Sequence, residues 1–239
     1  MKIGILQTGI APIELVDEYG SYSQMFIQLL HNDKEDFSYE IFEACDGEFP
    51  ESCYECDGWI VTGSKHGAYE KLPWIYTLSY LIVEINKSKL PLLGVCFGHQ
   101  IIAHALGGSV EKSDKGWGVG FDTYRIDNKT SYMGHLSETV MLNVMHQDQV
   151  VNLPKDATLY ASSSFCTNAG FYINDHVLTI QAHPEFKVSF NKELLTLRST
   201  TVIPNESSQP ALEDLDNNSD KVESKIFSRV IRDFFLKSV

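Results

Sequence analysis

The sequence predicts an α/β fold, a doubly wound and mostly parallel sheet with an antiparallel extension, and three observations carry that expectation. Short apolar runs alternate with segments of helical period over the first 110 residues. Strand-like runs then crowd residues 119–182 with few helical patterns between them. An amphipathic segment lies after a polar stretch at 198–220.

Taken in order, residues 2–8 read as a buried opening strand, and residues 21–32 as the helix after it, with Met25, Phe26, Leu29 and Leu30 at helical spacing. Residues 39–44 and 58–62 read as the second and third strands, the third holding Trp59, Ile60 and Val61. Pro73 sits where a helix should start, and Trp74, Ile75, Leu78, Leu81, Ile82 and Ile85 repeat behind it. The apolar run 90–95 reads as a strand covered on both faces. Runs at 119–125, 139–145, 157–163, 169–173 and 176–182 form the expected antiparallel extension. Residues 198–220, rich in Ser, Asn and Asp and interrupted by Pro204 and Pro210, read as a flexible surface insertion. Ile226, Val230, Ile231, Phe234 and Phe235 then give a helix within 221–239 that docks on the sheet. Residues 1–239 are expected to form one domain.

Composition narrows the function. With 19 basic and 32 acidic residues the net charge is −13, which argues against nucleic acid and anionic membrane as partners, because both recruit positive patches. No apolar run approaches the roughly 18 residues that a membrane-spanning helix needs, and the N-terminus lacks the layout of a secretory signal. Five cysteines without regular spacing make a disulfide framework a poor reading and point to a reducing compartment, the cytoplasm.

The chemistry concentrates in two segments. In Gly94-Val-Cys-Phe-Gly98 an apolar strand runs directly into a helix through a turn with cysteine at its tip. This is the thiol form of the nucleophile elbow, in which flanking side chains would collide at a strained turn. The turn also sets Cys96 at a helix N-terminus, where the dipole favours a thiolate. The second segment is His183-Pro-Glu185, at the end of an apolar strand. Residues two apart on extended chain point the same way, so the carboxylate can orient the imidazole, the base that a thiol nucleophile requires.

Gly94-Val-Cys-Phe-Gly-His-Gln100 and Gln181-Ala-His-Pro-Glu-Phe186 together closely resemble the class I, triad-type glutamine amidotransferases. Within them the chain looks most like the stand-alone branch of GMP-synthetase-like proteins and plant gamma-glutamyl peptidases. Val61-Thr-Gly-Ser-Lys-His-Gly-Ala-Tyr69, Pro73-Trp-Ile75, Ala105-Leu-Gly-Gly108, Gly116-Trp-Gly-Val-Gly120 and His146-Gln-Asp-Gln-Val150 follow in the order of that branch, so the likeness covers about residues 1–190. It implies a flavodoxin-like sheet and a γ-glutamyl amide hydrolase. Cys96 would be the nucleophile, His183 the base and acid, and Glu185 the orienter. The backbone N–H groups of Ser64 and Phe97 would form the oxyanion hole. Gly63, Gln100 and the backbone around Met145, His146 and Gln147 would hold the glutamyl group.

Two departures bear on specificity. Gly63-Ser64-Lys65 stands where many relatives have Gly-Gly-Pro, and Gln147 replaces a glycine common in that loop. Both favour the peptidase-like branch over authentic GMP synthetase, as does the lack of an ATP-pyrophosphatase domain or Walker-type loop. The small-molecule partner implied is glutamine or a γ-glutamyl peptide. The alternatives are a glutaminase subunit feeding ammonia to a separate synthetase, and a catalytically silent regulatory protein. No cofactor and no metal are expected: Cys53 and Cys56 lack a second ligand pair, and His99 and His104 are badly spaced for shared ligation. His99 is expected to pack behind the elbow.

Overall fold

The computed structural model describes residues 1–32, 36–199 and 201–237. In chain order it contains β1 (Lys2–Leu6), α1 (Ile13–Tyr19), α2 (Tyr22–Leu30), β2 (Ser38–Phe42), β3 (Gly58–Val61), α3 (Pro73–Lys87), β4 (Leu92–Val95) and α4 (Phe97–Ala105). There follow β5 (Ser109–Lys112), β6 (Gly118–Ile126), β7 (Thr139–His146), β8 (Asp148–Asn152), β9 (Thr158–Ser162), β10 (Gly170–Ile173) and β11 (Val177–Ile180). The last three helices are α5 (Val188–Ser199), α6 (Asn205–Asn217) and α7 (Ser224–Lys237). Among the described residues no helix is long and apolar enough to cross a membrane.

Nine strands form one sheet in the order β2-β1-β3-β4-β11-β10-β9-β6-β7, and β5 and β8 pair separately. The pairs from β2 through β11 are parallel, and those from β10 to β7 antiparallel. Both faces of the parallel half are covered. Ile3 and Ile5 pack with Phe26 of α2 and Phe234 and Phe235 of α7, while Leu6 and Trp59 pack with Leu78 and Ile82 of α3 and Ile101 and Ile102 of α4. Local signals support these elements. Ser21 and Gln24 make a reciprocal capping box at the start of α2, satisfying two otherwise unpaired donors. Pro73 occupies the first turn of α3, where its missing N–H costs nothing.

The doubly wound, mostly parallel sheet and its antiparallel continuation agree with the sequence expectation. Two assignments change. The run at 176–182 was expected in the antiparallel extension, yet β11 lies at the centre of the sheet, parallel to β4 with Ile180 opposite Val95. All four residues of β11 are buried, as a central position covered on both faces requires, although the run alone does not fix its direction. The segment at 198–220 is not an irregular insertion in its described residues, because α6 fills most of it. Ser208, Ala211 and Leu215 recur at helical spacing and are buried, and the small Ala211 lets the helix approach β6 closely at Gly120. Pro210 within α6 hid this pattern, since proline ordinarily interrupts a helix. Thr200, Ser238 and Val239, parts of the segments read as insertion and final helix, lie outside the described residues. Helix α1, of seven residues, is too short and the β5–β8 pair too poor in apolar residues to be read from sequence.

Candidate active site

The site forms where β3, β4 and β11 end, at the carboxyl edge of the parallel half. The backbone N–H of Cys96 donates to the carbonyl of Ile180 at 2.9 Å, carrying the pairing of β4 and β11 one residue past the strands. Cys96 has φ 53° and ψ −104°, a backbone conformation that a residue with a side chain seldom adopts. The elbow glycines are explained by contact. A Cβ at Gly98 would lie 2.2 Å from the carbonyl oxygen of Val61, so α4 can sit against β3 only with glycine there. A Cβ at Gly94 would lie 2.6 Å from the Gly98 carbonyl oxygen and 2.5 Å from Ile102 Cδ1.

The imidazole of His183 faces both partners expected of it. Its Nδ1 lies 2.7 Å from Glu185 Oε1, and the ring also hydrogen-bonds the Cys96 side chain. Both His183 and Glu185 are buried. Burial opposes charge on the imidazole, yet Cys96 and Glu185 together outweigh it and raise the His183 pKa to about 10. The ring is gripped as well as paired. Phe186 stacks on it with centroids 4.0 Å apart and planes 7° apart, and Phe190 buttresses Phe186 edge-on. The turn beneath is fixed by buried amides: the N–H of His183 donates to the Asn143 carbonyl, and Asn143 Nδ2 to the Phe186 carbonyl. Asn191 Nδ2 in turn donates to Asn143 Oδ1 at 3.0 Å.

Gly63 and Ser64 approach from the end of β3. A Cβ on Gly63 would lie 3.0 Å from His183 Cε1 and 3.8 Å from Cys96 Cβ, so this glycine makes room for the imidazole. Thr8 ties the same turn down: its hydroxyl donates to the carbonyls of Thr62 and Gly63. Phe97 is the first residue of α4, so its N–H has no carbonyl within that helix to bond. Gly63 and Ser64 line a recess of about 20 Å³ with Cys96, His183 and Glu185.

A larger cavity of about 520 Å³ opens beside Cys96, and Ser64, Gln100, Met145, His146 and Gln147 all line it. Gln100 Nε2 donates to the Asp148 carbonyl at 2.8 Å and to Gln181 Oε1 at 3.1 Å, so its amide hydrogens are committed and its oxygen remains. His146 Nδ1 is 3.1 Å from the same carbonyl, and its buried Nε2 has no hydrogen-bond partner among the described residues. Burial lowers the His146 pKa to about 4, so the ring is neutral near pH 7.

Three residues at this site were given no role by sequence reasoning. Tyr69 bonds Asp148 across the cavity, and burial with that bond raises its pKa to about 12. Tyr22 lines the recess from α2. Arg198 lines both spaces. Only its place in the last turn of α5, after a helical run of leucines, could have drawn attention to it. His99 does pack behind the elbow, with Nδ1 2.8 Å from Thr179 Oγ1. Cys53 and Cys56 are buried free thiols. Among the described residues only Glu43, Cys45 and Asp46 lie close enough together to suggest a metal site, away from the cavity.

A strained thiol at an elbow, an imidazole beside it and a carboxylate behind the imidazole thus meet at the carboxyl edge of a doubly wound α/β sheet. The chain belongs to the class-I glutamine amidotransferase family, whose sequence pattern matches residues 14–200. It is 36% identical over 185 residues to gamma-glutamyl peptidase 3 of Arabidopsis thaliana, spanning 74% of this chain and 72% of that protein. It is 28% identical over 174 residues to a glutamine-hydrolyzing GMP synthase subunit of Halobacterium salinarum, spanning 72% and 88%. Its fold matches the crystal structure of a glutamine amidotransferase from Thermotoga maritima with a TM-score of 0.78 at 20% identity, covering 98% of each chain.

Proposed function

We propose that the protein hydrolyses γ-glutamyl amide bonds through a glutamyl thioester on Cys96. The observation that carries the reading is the buried series Cys96–His183–Glu185 opening onto the cavity that Gln100 lines. A cationic imidazole beside the sulfur attracts the negative charge that attack requires. Cys96 Sγ adds to the γ-carbonyl carbon, and the oxygen's developing charge is met by the N–H groups of Ser64 and Phe97. The carbon–nitrogen bond then breaks as the His183 proton passes to the departing nitrogen. Water, deprotonated by the same ring, cleaves the thioester, releasing glutamate and restoring the thiol. Gln100 Oε1, the free acceptor, suits the substrate's α-ammonium group, and the backbone around Met145, His146 and Gln147 suits its carboxylate. Five unpaired cysteines favour a reducing compartment, the cytoplasm.

The test is glutamate release from glutamine and from a panel of γ-glutamyl dipeptides, comparing the native chain with Cys96→Ala. Release that disappears in the variant supports the reading; release that survives it, or no release by the native chain, overturns it. The likeness to a GMP synthase subunit favours a second reading, in which ammonia passes to a separate synthetase. Cleavage of glutamine alone, accelerated by an added synthetase, would select it.

A further inference from the structure

Among the described residues Arg198 has side-chain partners but no ion pair. It projects from the last turn of α5, half-buried, in a chain of net charge −13. Its Nη1 lies 3.3 Å from the thioether sulfur of Met145, a weak acceptor, and its other side-chain partner is the Tyr22 phenol. Among the described residues no carboxylate pairs with it, whereas the half-buried Arg232 has Asp36. A guanidinium held partly out of water without an anion is a binding site for one, and its planar fork fits a carboxylate with two hydrogen bonds. Lys65 and Lys112 also line the large cavity, but both are exposed and neither lines the recess that holds His183.

Position decides which anion. Arg198 lines the recess that holds Cys96, His183 and Glu185 as well as the large cavity. The nitrogen that leaves must face His183 to take its proton, so whatever is attached to that nitrogen lies on the Arg198 side. The glutamyl head lies toward Gln100, which lines the large cavity but not the recess. The cavity of about 520 Å³ also leaves room beyond a glutamine for a larger leaving group.

We propose that Arg198 binds the carboxylate of the departing amine, so that the preferred leaving group is an amino acid or short peptide with a free carboxyl end rather than ammonia. This rests on the hydrolase reading above and specifies the substrate class of the same site.

The test compares γ-glutamyl-alanine with γ-glutamyl-alaninamide, which differ only in the terminal charge. The native chain is expected to favour the acid by about 10- to 100-fold in kcat/KM, the range of a charge-assisted hydrogen bond. In Arg198→Met that ratio should fall to near one, mainly through KM, and Arg198→Lys should restore part of it. A native ratio near one overturns the proposal whether or not the variants fold. An equal loss on both substrates in Arg198→Met, with slower alkylation of Cys96, overturns it too, because Arg198 would then serve the thiol. Calorimetry of the two peptides with Cys96→Ala separates this proposal from the reading it rests on. Selective binding of the acid that Arg198→Met abolishes, with no cleavage by the native chain, sinks hydrolysis and leaves the recognition standing.

Discussion

The Phe186 ring lies flat on the His183 imidazole, planes 7° apart and centroids 4.0 Å apart. Glu185 and Cys96 hold the ring through bonds in its own plane, which leave the imidazole free to tilt out of it; the stacked ring removes that freedom. Phe186→Leu is therefore expected to lower kcat on γ-glutamyl substrates about 10- to 100-fold, since small displacements of a reacting group cost that much. The loss in stability should be about 1–3 kcal/mol. Steady-state kinetics and urea unfolding on one sample check both, and an unchanged kcat would show that those in-plane bonds alone position the ring.

The backbone strain at Cys96 should be measurable in unfolding. With φ at 53°, glycine fits this position better than any residue carrying a Cβ. Cys96→Gly is expected to be more stable than Cys96→Ala by about 1 kcal/mol, with both inactive. Equal midpoints in guanidinium would refute the strain.

Gly98→Ala should be far more damaging than an ordinary glycine replacement in a helix, because its Cβ would meet the Val61 carbonyl oxygen at 2.2 Å. Backbone on both sides leaves little to yield, and a loss of at least about 3 kcal/mol is expected. Thermal unfolding of the variant beside Gly107→Ala, whose Cβ would meet nothing within 4 Å but whose φ is +93°, separates collision from conformational strain.

The site also sets a pH dependence. His183 is raised from 6.5 to about 10 against the cost of burial by Cys96 and Glu185. Its contribution to stability is thus complete below about pH 6.5 and is lost as pH rises through about 10. The stability difference between the native chain and His183→Gln should shrink steadily across that window. A difference that grows with pH would mean that the imidazole is neutral in the folded protein.

Much of this arrangement was legible in the residues, and the exceptions have physical causes. The elbow glycines and His183-Pro-Glu185 announced themselves because strained turns and short extended triplets are local features, encoded within a few positions. The parallel pairing of β11 with β4 was not, because a four-residue buried run looks the same whether its neighbour runs with it or against it. Helix α6 was hidden by Pro210 and by a composition of Ser, Asn and Asp that usually marks loops, although Ser208, Ala211 and Leu215 were already in helical register. The roles of Arg198 and Tyr69 were invisible for another reason. A single charged or phenolic side chain acquires a role only from what folding brings opposite to it, here Met145 and Asp148.

Tyr69 offers a further check on the cavity. Its bond to Asp148 joins the segment after Ser64 to the start of β8. Tyr69→Phe removes that link and one charge-assisted hydrogen bond while leaving the ring in place. A rise in KM of about 3- to 10-fold with little change in unfolding midpoint is expected. If kcat falls and KM holds, the link instead positions the Ser64 N–H.

The strand order has a consequence for biogenesis. Cys96 and His183 stand on adjacent strands but 87 positions apart in the chain, with the whole antiparallel half translated between them. While the ribosome is still short of β11, the elbow can form but its imidazole does not yet exist, and β4 remains an unpaired sheet edge open to other strands. On the reading proposed above, sulfur chemistry is thereby withheld until the central gap is closed, and truncated translation products would carry the thiol without the means to use it. Their hazard is sticky edges rather than stray hydrolysis.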